Sequence, residues 1–475
     1  MKLKIGLAGV DQVCFTGDKG AVYSRAKAGL KKLAESIGFE LYCVEDTIIT
    51  RSQAEKVAGE MKADGVDLVL VQNSSFAAGE TILPFAGLKL PMGLWAVPEP
   101  ASKGLLPLNS FCGLNMYASI TVNYLKEHDI KYKWFFGHPE DEQFVKRLSI
   151  TVKALTAAKR LRNSRIAHVG GIAPGFNDLY YDERLIEKRF GIDIQRLHEY
   201  AELRDMAVSY ADEEIAEYIE KSSRGYRASC ASKDEMNMSA RFLKAYDDFA
   251  AQNNYDAVAI SCWPKIQSDF GLCSCHTIAR LNELGVPAAC EGDIPGAVGM
   301  LLLKYISDDK ETTLMDLVAY DKGDETLQFW HCGPTTPSFA GQDGVELMTL
   351  EEDTASGGKR YLKYIHDMTF KPGDATVLCL ANEFKSAFIL NGRFIDGSKD
   401  KFRGSAGWLG ELKLNGESAA AEDVVNTILV QGISHHYPIV YGDYGDILRE
   451  LCVWLDMSLI DKIPYRDFAQ RPSYR

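Results

Sequence analysis

The residues of this chain whose types and spacing could do chemistry are two carboxylates and a pair of adjacent histidines. Glu291 stands in Ala289-Cys290-Glu291-Gly292-Asp293-Ile294-Pro295-Gly296, Asp316 follows in Met315-Asp316-Leu317, and His435-His436 comes later. Mixed oxygen and nitrogen donors of this kind suit a divalent ion such as Mn²⁺, with coordination positions left for water or substrate. On residue types alone the plainer reading comes first: Glu291 and Asp293 are charges at a helix N-terminus.

The elements around these residues say where they must stand. Val286 to Cys290 reads as a strand end, and Ile294 to Ile306 as an apolar helix with proline in its first turn. Glu291 therefore falls where a parallel strand ends, the place at which open α/β sheets bind ligands. Asp316 follows after one helix, so the two carboxylates are expected on adjacent strand ends, facing one crevice. Upstream, Leu3 to Val10, Phe39 to Val44 and Val66 to Gln72 read as strands alternating with helices at Gly20 to Ile37, Ser52 to Ala63 and Asn115 to Lys126, a doubly wound pattern. The strand-end loops, such as Asn73-Ser74-Ser75 and Pro98-Glu99-Pro100, either line a pocket or are ordinary turns. A helix at Glu142 to Leu161 leads to a second alternating series, Ile166 to Cys290. Beyond Asp308, short segments separated by Gly, Asp and Asn read as antiparallel β structure, with Asn391-Gly392 as a hairpin signal. The expected fold class is α/β: two Rossmann-like parallel-sheet domains, 1–163 and 164–308, followed by a β-rich, antiparallel or barrel-like domain, 309–475.

Bulk properties exclude several functions. At 475 residues with 46% hydrophobic content there is material for several cores, and a net charge of −13 leaves no basic footprint for nucleic acid. No apolar run is long enough to span a bilayer, and the first residues read as a strand rather than a signal peptide. Eleven cysteines, odd in number and scattered, fit reduced thiols in a cytoplasm. The turn Gly170-Gly171-Ile172-Ala173-Pro174-Gly175-Phe176 lacks the G-x-G-x-x-G spacing, so no dinucleotide cofactor is expected. Cys273-x-Cys275-His276 resembles part of a soft-metal site without the second pair that zinc spacing requires. Trp95, Trp263 and Trp330 either stack on a bound ring or pack in the core. His128, His138, His168, His198 and His366 have no motif around them. Lys399, Lys401 and Arg403 could receive an anionic substituent, and a solvated loop is the plainer reading.

Several blocks recur in order: Cys262-Trp263-Pro264 with Gly271, the run Leu281 to Asp293, Met315-Asp316, Trp330-His331-Cys332-Gly333, and His435-His436 with Tyr441-Gly442. Together they resemble the L-fucose and L-arabinose isomerase family, and more closely its shorter fucose-isomerase-like branch. The resemblance covers the second and third domains. It implies a cytoplasmic, Mn²⁺-dependent ketol isomerase assembled as a homohexamer. Glu291 and Asp316 would be metal ligands and the acid/base pair, and His436 the third ligand, with His435 as its rival. His331, Trp263 and His435 would bind substrate, His331 being a further ligand in the arabinose isomerases. The implied chemistry is proton transfer between C1 and C2 through a cis-enediol. This chain is shorter than the full-length fucose isomerases, which puts fucose itself in doubt and leaves sulfonated sugars such as sulfoquinovose as an alternative. A reading from another class is a sugar-binding or regulatory protein that keeps two α/β domains without turnover.

Overall fold

The computed structural model describes residues 1–472 apart from 224, 225, 230, 231, 263, 271, 272, 354–358 and 398. Trp263 and Gly271, named above, therefore lie outside the described residues. The chain divides into two compact units, Met1–Lys159 and Arg160–Arg475.

The first unit holds a five-stranded sheet of β1 (Lys4–Val10), β2 (Glu40–Cys43), β3 (Leu68–Asn73), β4 (Met92–Ala96) and β5 (Tyr132–Phe136), in the order β2-β1-β3-β4-β5. Every pairing is parallel. β3 and β4 are buried along their whole length, as a sheet covered on both faces requires. The helix Arg51–Ala63 starts at a capping box in which the Thr50 and Gln53 side chains each accept the other's backbone N–H. The strand-end loops are engaged internally: Gln12 N–H donates to Ser75 Oγ at 3.0 Å and the Ser110 hydroxyl to the Asn73 carbonyl at 2.6 Å. Glu99 accepts from the backbone of Leu108 and Ser110 at 2.9 and 3.3 Å. Turn chemistry accounts for these loops.

The second unit opens with β6 (Arg165–Val169) and β7 (Asp193–His198), sends β8 (Tyr226–Ser229) away to pair elsewhere, and returns with β9 (Ala257–Ile260) and β10 (Ala288–Ala289). These form a parallel four-stranded sheet in the order β10-β9-β6-β7, the same winding as the first four strands of the other sheet.

Then come β11 (Thr312–Asp321), β12 (Thr326–His331), β13 (Val345–Asp353), β14 (Lys359–Thr369), β15 (Gly373–Ala381), β16 (Ser386–Phe394), β17 (Ser405–Leu414), β18 (Glu417–Ser418) and β19 (His436–Tyr441). Six of them close into an antiparallel ring, β11-β12-β17-β16-β15-β19 and back to β11. A closed ring leaves no edge among its members. Met315, Phe329, Val377, Leu390, Leu409 and Ile439 belong to one buried cluster that fills it. The strands β13 and β14 extend the sheet beyond the ring, and β8 pairs with β13.

One expectation is corrected here. Asn391-Gly392 is no turn: it lies within β16, at a register shift against β17. Asn391 Nδ2 donates to Thr376 Oγ1 at 3.0 Å and to Asp443 Oδ1 at 2.9 Å, and a Cβ at Gly392 would come within 2.7 Å of the Gly410 carbonyl oxygen. The glycine thus permits close backbone approach at a bulge. The β15/β16 hairpin turns instead at Asn382-Glu383-Phe384, with φ of 52, 54 and 63°.

Candidate active site

The helix Ile294–Ile306 lies between the parallel sheet and the barrel, in contact with β9 and β10 on one side and with β11, β15 and β19 on the other. At Gly299 it approaches the barrel so closely that a Cβ would meet Pro438 at 2.7 Å. This packing brings the end of β10 against the outer wall of the barrel, where the two sets of polar residues meet.

Glu291 sits in a tight turn just after β10 with φ 60° and ψ 12°, the left-handed region. For a residue with a Cβ that conformation costs about 1–3 kcal/mol and persists only where the surroundings impose it. Here they do. The Ala173 N–H donates to the Glu291 carbonyl at 2.9 Å, and Gly292, at φ 72°, lies so close to the loop after β6 that a Cβ would fall 2.1 Å from the Gly171 oxygen. The glycine-rich turn Gly170-Gly171 is thus a clamp on the Glu291 turn.

Asp293 has two jobs. Its Oδ1 accepts the Gly296 N–H at 2.9 Å and caps the helix, while its Oδ2 accepts from His436 Nδ1 at 3.0 Å. With Nδ1 so engaged, His436 presents Nε2 on its other side. That nitrogen stands 3.4 Å from Glu291 Oε2 and 3.7 Å from Asp316 Oδ1. Among the described residues, Glu291 Oε2, Asp316 Oδ1 and His436 Nε2 are all buried without a hydrogen-bond partner. Buried polar atoms are normally satisfied, and three orphans converging on one another are what a cation would satisfy.

His435 flanks the same point from the open side. Its Nδ1 donates to Asp178 Oδ2 at 2.6 Å, its ring stacks on Phe176 at 5.4 Å between centroids, and its Nε2 lies 3.5 Å from Glu291 Oε2. Glu291, His435 and His436 each bring a ligand atom within 4.8 Å of the others, as do Cys290, His331 and His436. His331 has both ring nitrogens engaged by the protein. Nε2 meets Cys290 Sγ at 3.1 Å, and Nδ1 accepts the Cys332 N–H at 2.8 Å.

The electrostatics follow from these neighbours. Burial would raise the Glu291 carboxyl, but the imidazoles of His435, His436 and His331 hold it below the usual glutamate range. Burial opposes protonation of His436, yet Cys290 and Asp293 beside it push its pKa well up. The sulfurs of Cys332 and Cys275 meet at 3.2 Å, and this hydrogen bond, with the neighbouring His331, brings the Cys332 thiol down to about 5 despite burial.

Asp316 departs from its expected place. It lies in the middle of β11 on the barrel wall rather than on a strand end next to Glu291, because the chain leaves the parallel sheet between the two. Its cross-strand partners are His436 on β19 and Trp330 on β12. Of the remaining candidates, Trp95 is buried and donates to the Gly137 carbonyl at 2.9 Å, a packing role. His366 and His276 meet each other at 2.9 Å and share the Tyr226 hydroxyl in a buried group of their own. Lys399 is tied to Asp321 and Asp324 at 2.8 Å each, and Lys401 and Arg403 to Asp367. Asp178, Asp293 and Cys290 entered no sequence-based site assignment. Asp293 carried a usable signal, since a helix cap two residues after a ligand candidate is well placed to orient its neighbour. Asp178 carried none.

No protein-family model matches the chain. It is similar to the sulfoquinovose isomerase of Priestia aryabhattai, 25% identical over 417 residues, covering 87% of this chain and 90% of that one. Similar too are the sulfoquinovose isomerases of Alkalicoccus urumqiensis, 26% identical over 83% of this chain and 86% of the relative, and of Clostridium sp. (strain MSTE9), 26% identical over 91% and 94%.

Proposed function

We propose that the chain is an aldose–ketose isomerase, of the L-fucose and L-arabinose isomerase kind in its chemistry, that acts with a divalent cation on a sugar bearing a sulfonate, such as sulfoquinovose. The observation that carries this is the convergence of Glu291 Oε2, Asp316 Oδ1 and His436 Nε2, three buried atoms without a hydrogen-bond partner among the described residues, at 3.4 and 3.7 Å about the imidazole. The relatives' names supply the substrate class.

Glu291, Asp316 and His436 would hold the cation, and two carboxylates with one imidazole fit a hard or borderline ion such as Mn²⁺. When bound, the ion polarises the sugar carbonyl and neutralises charge that develops on O1 and O2. The chain's own residues do the rest. Glu291, kept ionised by the imidazoles around it, removes the proton from C2 of the aldose and returns it to C1, while Asp316 assists transfer between O2 and O1. In the reverse direction Glu291 carries the proton from C1 back to C2 and Asp316 assists transfer from O1 to O2 along the same path. Asp293 holds the His436 tautomer, and Asp178 holds His435 by Nδ1 with Nε2 beside Glu291 Oε2, from where the ring, in its imidazolium form, donates to a sugar hydroxyl. The strained turn fixes the Glu291 carboxylate before substrate arrives, so no reorganisation is needed at the moment of transfer.

The test is conversion of a panel of pentoses, 6-deoxyhexoses and 6-sulfohexoses by the metal-stripped protein, with and without Mn²⁺. Turnover of a sulfonated aldose that requires the ion is the expected result. Turnover undiminished by chelation would remove the cation from the mechanism, and binding without turnover of any sugar would replace the enzyme by a sugar-binding protein.

A further inference from the structure

Four residues stand in one row across the outer wall of the barrel. The register pairs His436 with Asp316, Asp316 with Trp330, and Trp330 with Ala406, on β19, β11, β12 and β17. Cross-strand partners project from the same face of a sheet, and strands are spaced by about 4.8 Å, so β17 lies about 10 Å from β11 along this row. At that far end the chain enters β17 through the segment Lys401-Phe402-Arg403-Gly404.

This segment is held firmly. Asp367, whose side chain is 9% exposed, accepts from Lys401 Nζ at 2.6 Å, Arg403 Nη1 at 2.8 Å and the Gly404 N–H at 3.0 Å. Gly404 adopts φ 119° and lies so close to the end of β12 that a Cβ would meet the His331 oxygen at 2.6 Å and Trp330 Nε1 at 2.9 Å. The Trp330 indole in turn donates to the Arg403 carbonyl at 2.6 Å. The backbone of Arg403 is therefore pinned to the immediate neighbour of Asp316.

The two cations on Asp367 are not equivalent. The Lys401 side chain is 16% exposed and its ammonium also donates to the carbonyls of Phe402 and Gly404, at 3.3 and 3.1 Å. The Arg403 side chain is 64% exposed, and among the described residues only its Nη1 makes a hydrogen bond. Glu346, the cross-strand partner of Asp367, is the other acid close enough to influence it. Nε and Nη2 of Arg403 thus form an open fork on a fixed base, one strand beyond Trp330.

We propose that Arg403 determines specificity by binding, through this fork, the anionic group at the end of the sugar remote from C1 and C2. A guanidinium is weakly hydrated and matches two oxygens of an oxyanion at once, which an ammonium does not. Sulfonate and phosphate share that chemistry, and the assignment here is to sulfonate. This inference rests on the isomerase reading above, and its test separates the two.

The experiment is steady-state kinetics of the Mn²⁺-loaded full chain and its R403Q and R403K variants on three aldoses: sulfoquinovose, glucose 6-phosphate and the neutral 6-deoxy analogue quinovose. R403Q should raise KM for sulfoquinovose about 10- to 100-fold with kcat unchanged. R403K should recover part of that loss, and the neutral sugar should be unaffected by either change. An unchanged KM for sulfoquinovose in R403Q, or an equal loss on quinovose, would overturn the role of Arg403 while leaving the isomerase intact. A wild-type chain that converts glucose 6-phosphate in preference to sulfoquinovose would transfer the fork to phosphate and overturn the sulfonate assignment. A wild-type chain that converts none of the three sugars fails at the earlier reading, and the Arg403 assignment falls with it.

Discussion

His436, on the ring strand β19, and His366, on β14 where the sheet extends beyond the ring, are both buried histidines of one unit, 1% and 0% exposed. His436 faces two carboxylate oxygens and leaves Nε2 without a partner, and its acidic surroundings push its pKa up. His366 donates from Nδ1 to the Thr335 carbonyl, meets His276 and Tyr226 through Nε2, and is driven by burial down to about 3. Depth is the same and the consequences are opposite. What separates a site from a core histidine is the charge of its partners and whether the donor atoms around it are left unsatisfied.

The sharpest way to break this contrast is to exchange a carboxylate for its amide on one side and a histidine on the other. Glu291→Gln should lower turnover by about 10²- to 10⁴-fold while thermal unfolding moves little, whereas His276→Gln should leave turnover intact. A comparable loss in the second variant would place the core cluster in the mechanism.

Next in size is the orientation of His436. Asp293→Ala should weaken Mn²⁺ binding about 10- to 100-fold, read by titration calorimetry, because the imidazole loses the group that fixes its tautomer. Affinity equal to the parent's would mean that His436 is not a ligand.

The core cluster has its own signature in pH. The folded pKa of His366 is depressed below the unfolded value near 6.5, so the unfolded chain binds the proton first as pH falls. Its contribution is fully present above about pH 6.5 and is lost on acidification towards about 3, amounting to about 2 kcal/mol by pH 5. Denaturant unfolding of the parent and of His366→Gln at pH 7 and pH 5 should show the parent losing about that much more. Equal losses would mean that His366 is protonated in the folded state.

The smallest effect expected is at Asp178. Asp178→Asn should raise KM by about 2- to 10-fold, the worth of one hydrogen bond to His435, with kcat nearly preserved.

How far the site could be read in advance depended on whether its determinants were local. The turn at Glu291 was legible because a strand end, a helix with proline in its first turn and an acid between them all fall within one short stretch. Asp316 and His436 were found through the resemblance. Their placement was not legible, since nothing in the sequence says that the chain has changed sheets between Glu291 and Asp316. β5 and β7 went unnoticed because edge strands carry polar residues, as in Tyr132-Lys133-Trp134 and Asp193-Ile194-Gln195-Arg196. Asn391-Gly392 misled for a related reason. The dipeptide favours a turn, but Thr376 and Gly410 around it are supplied by other strands and Asp443 by the loop after β19. The link from Asp178 to His435 spans most of the unit and left no trace in spacing.

The order of strands in the barrel has a consequence for biosynthesis. β19 is the last member of the ring in sequence, yet it sits between β15 and β11, and its first residue is His436. A nascent chain can wind its parallel sheet and lay down five of the ring strands with both carboxylates in place, and still present an open seam. The strand that closes that seam also delivers the imidazole, so under the proposed metal-dependent function barrel closure and competence for the metal would be one event. Metal uptake by a growing chain should therefore act as a clock for the final step of its folding.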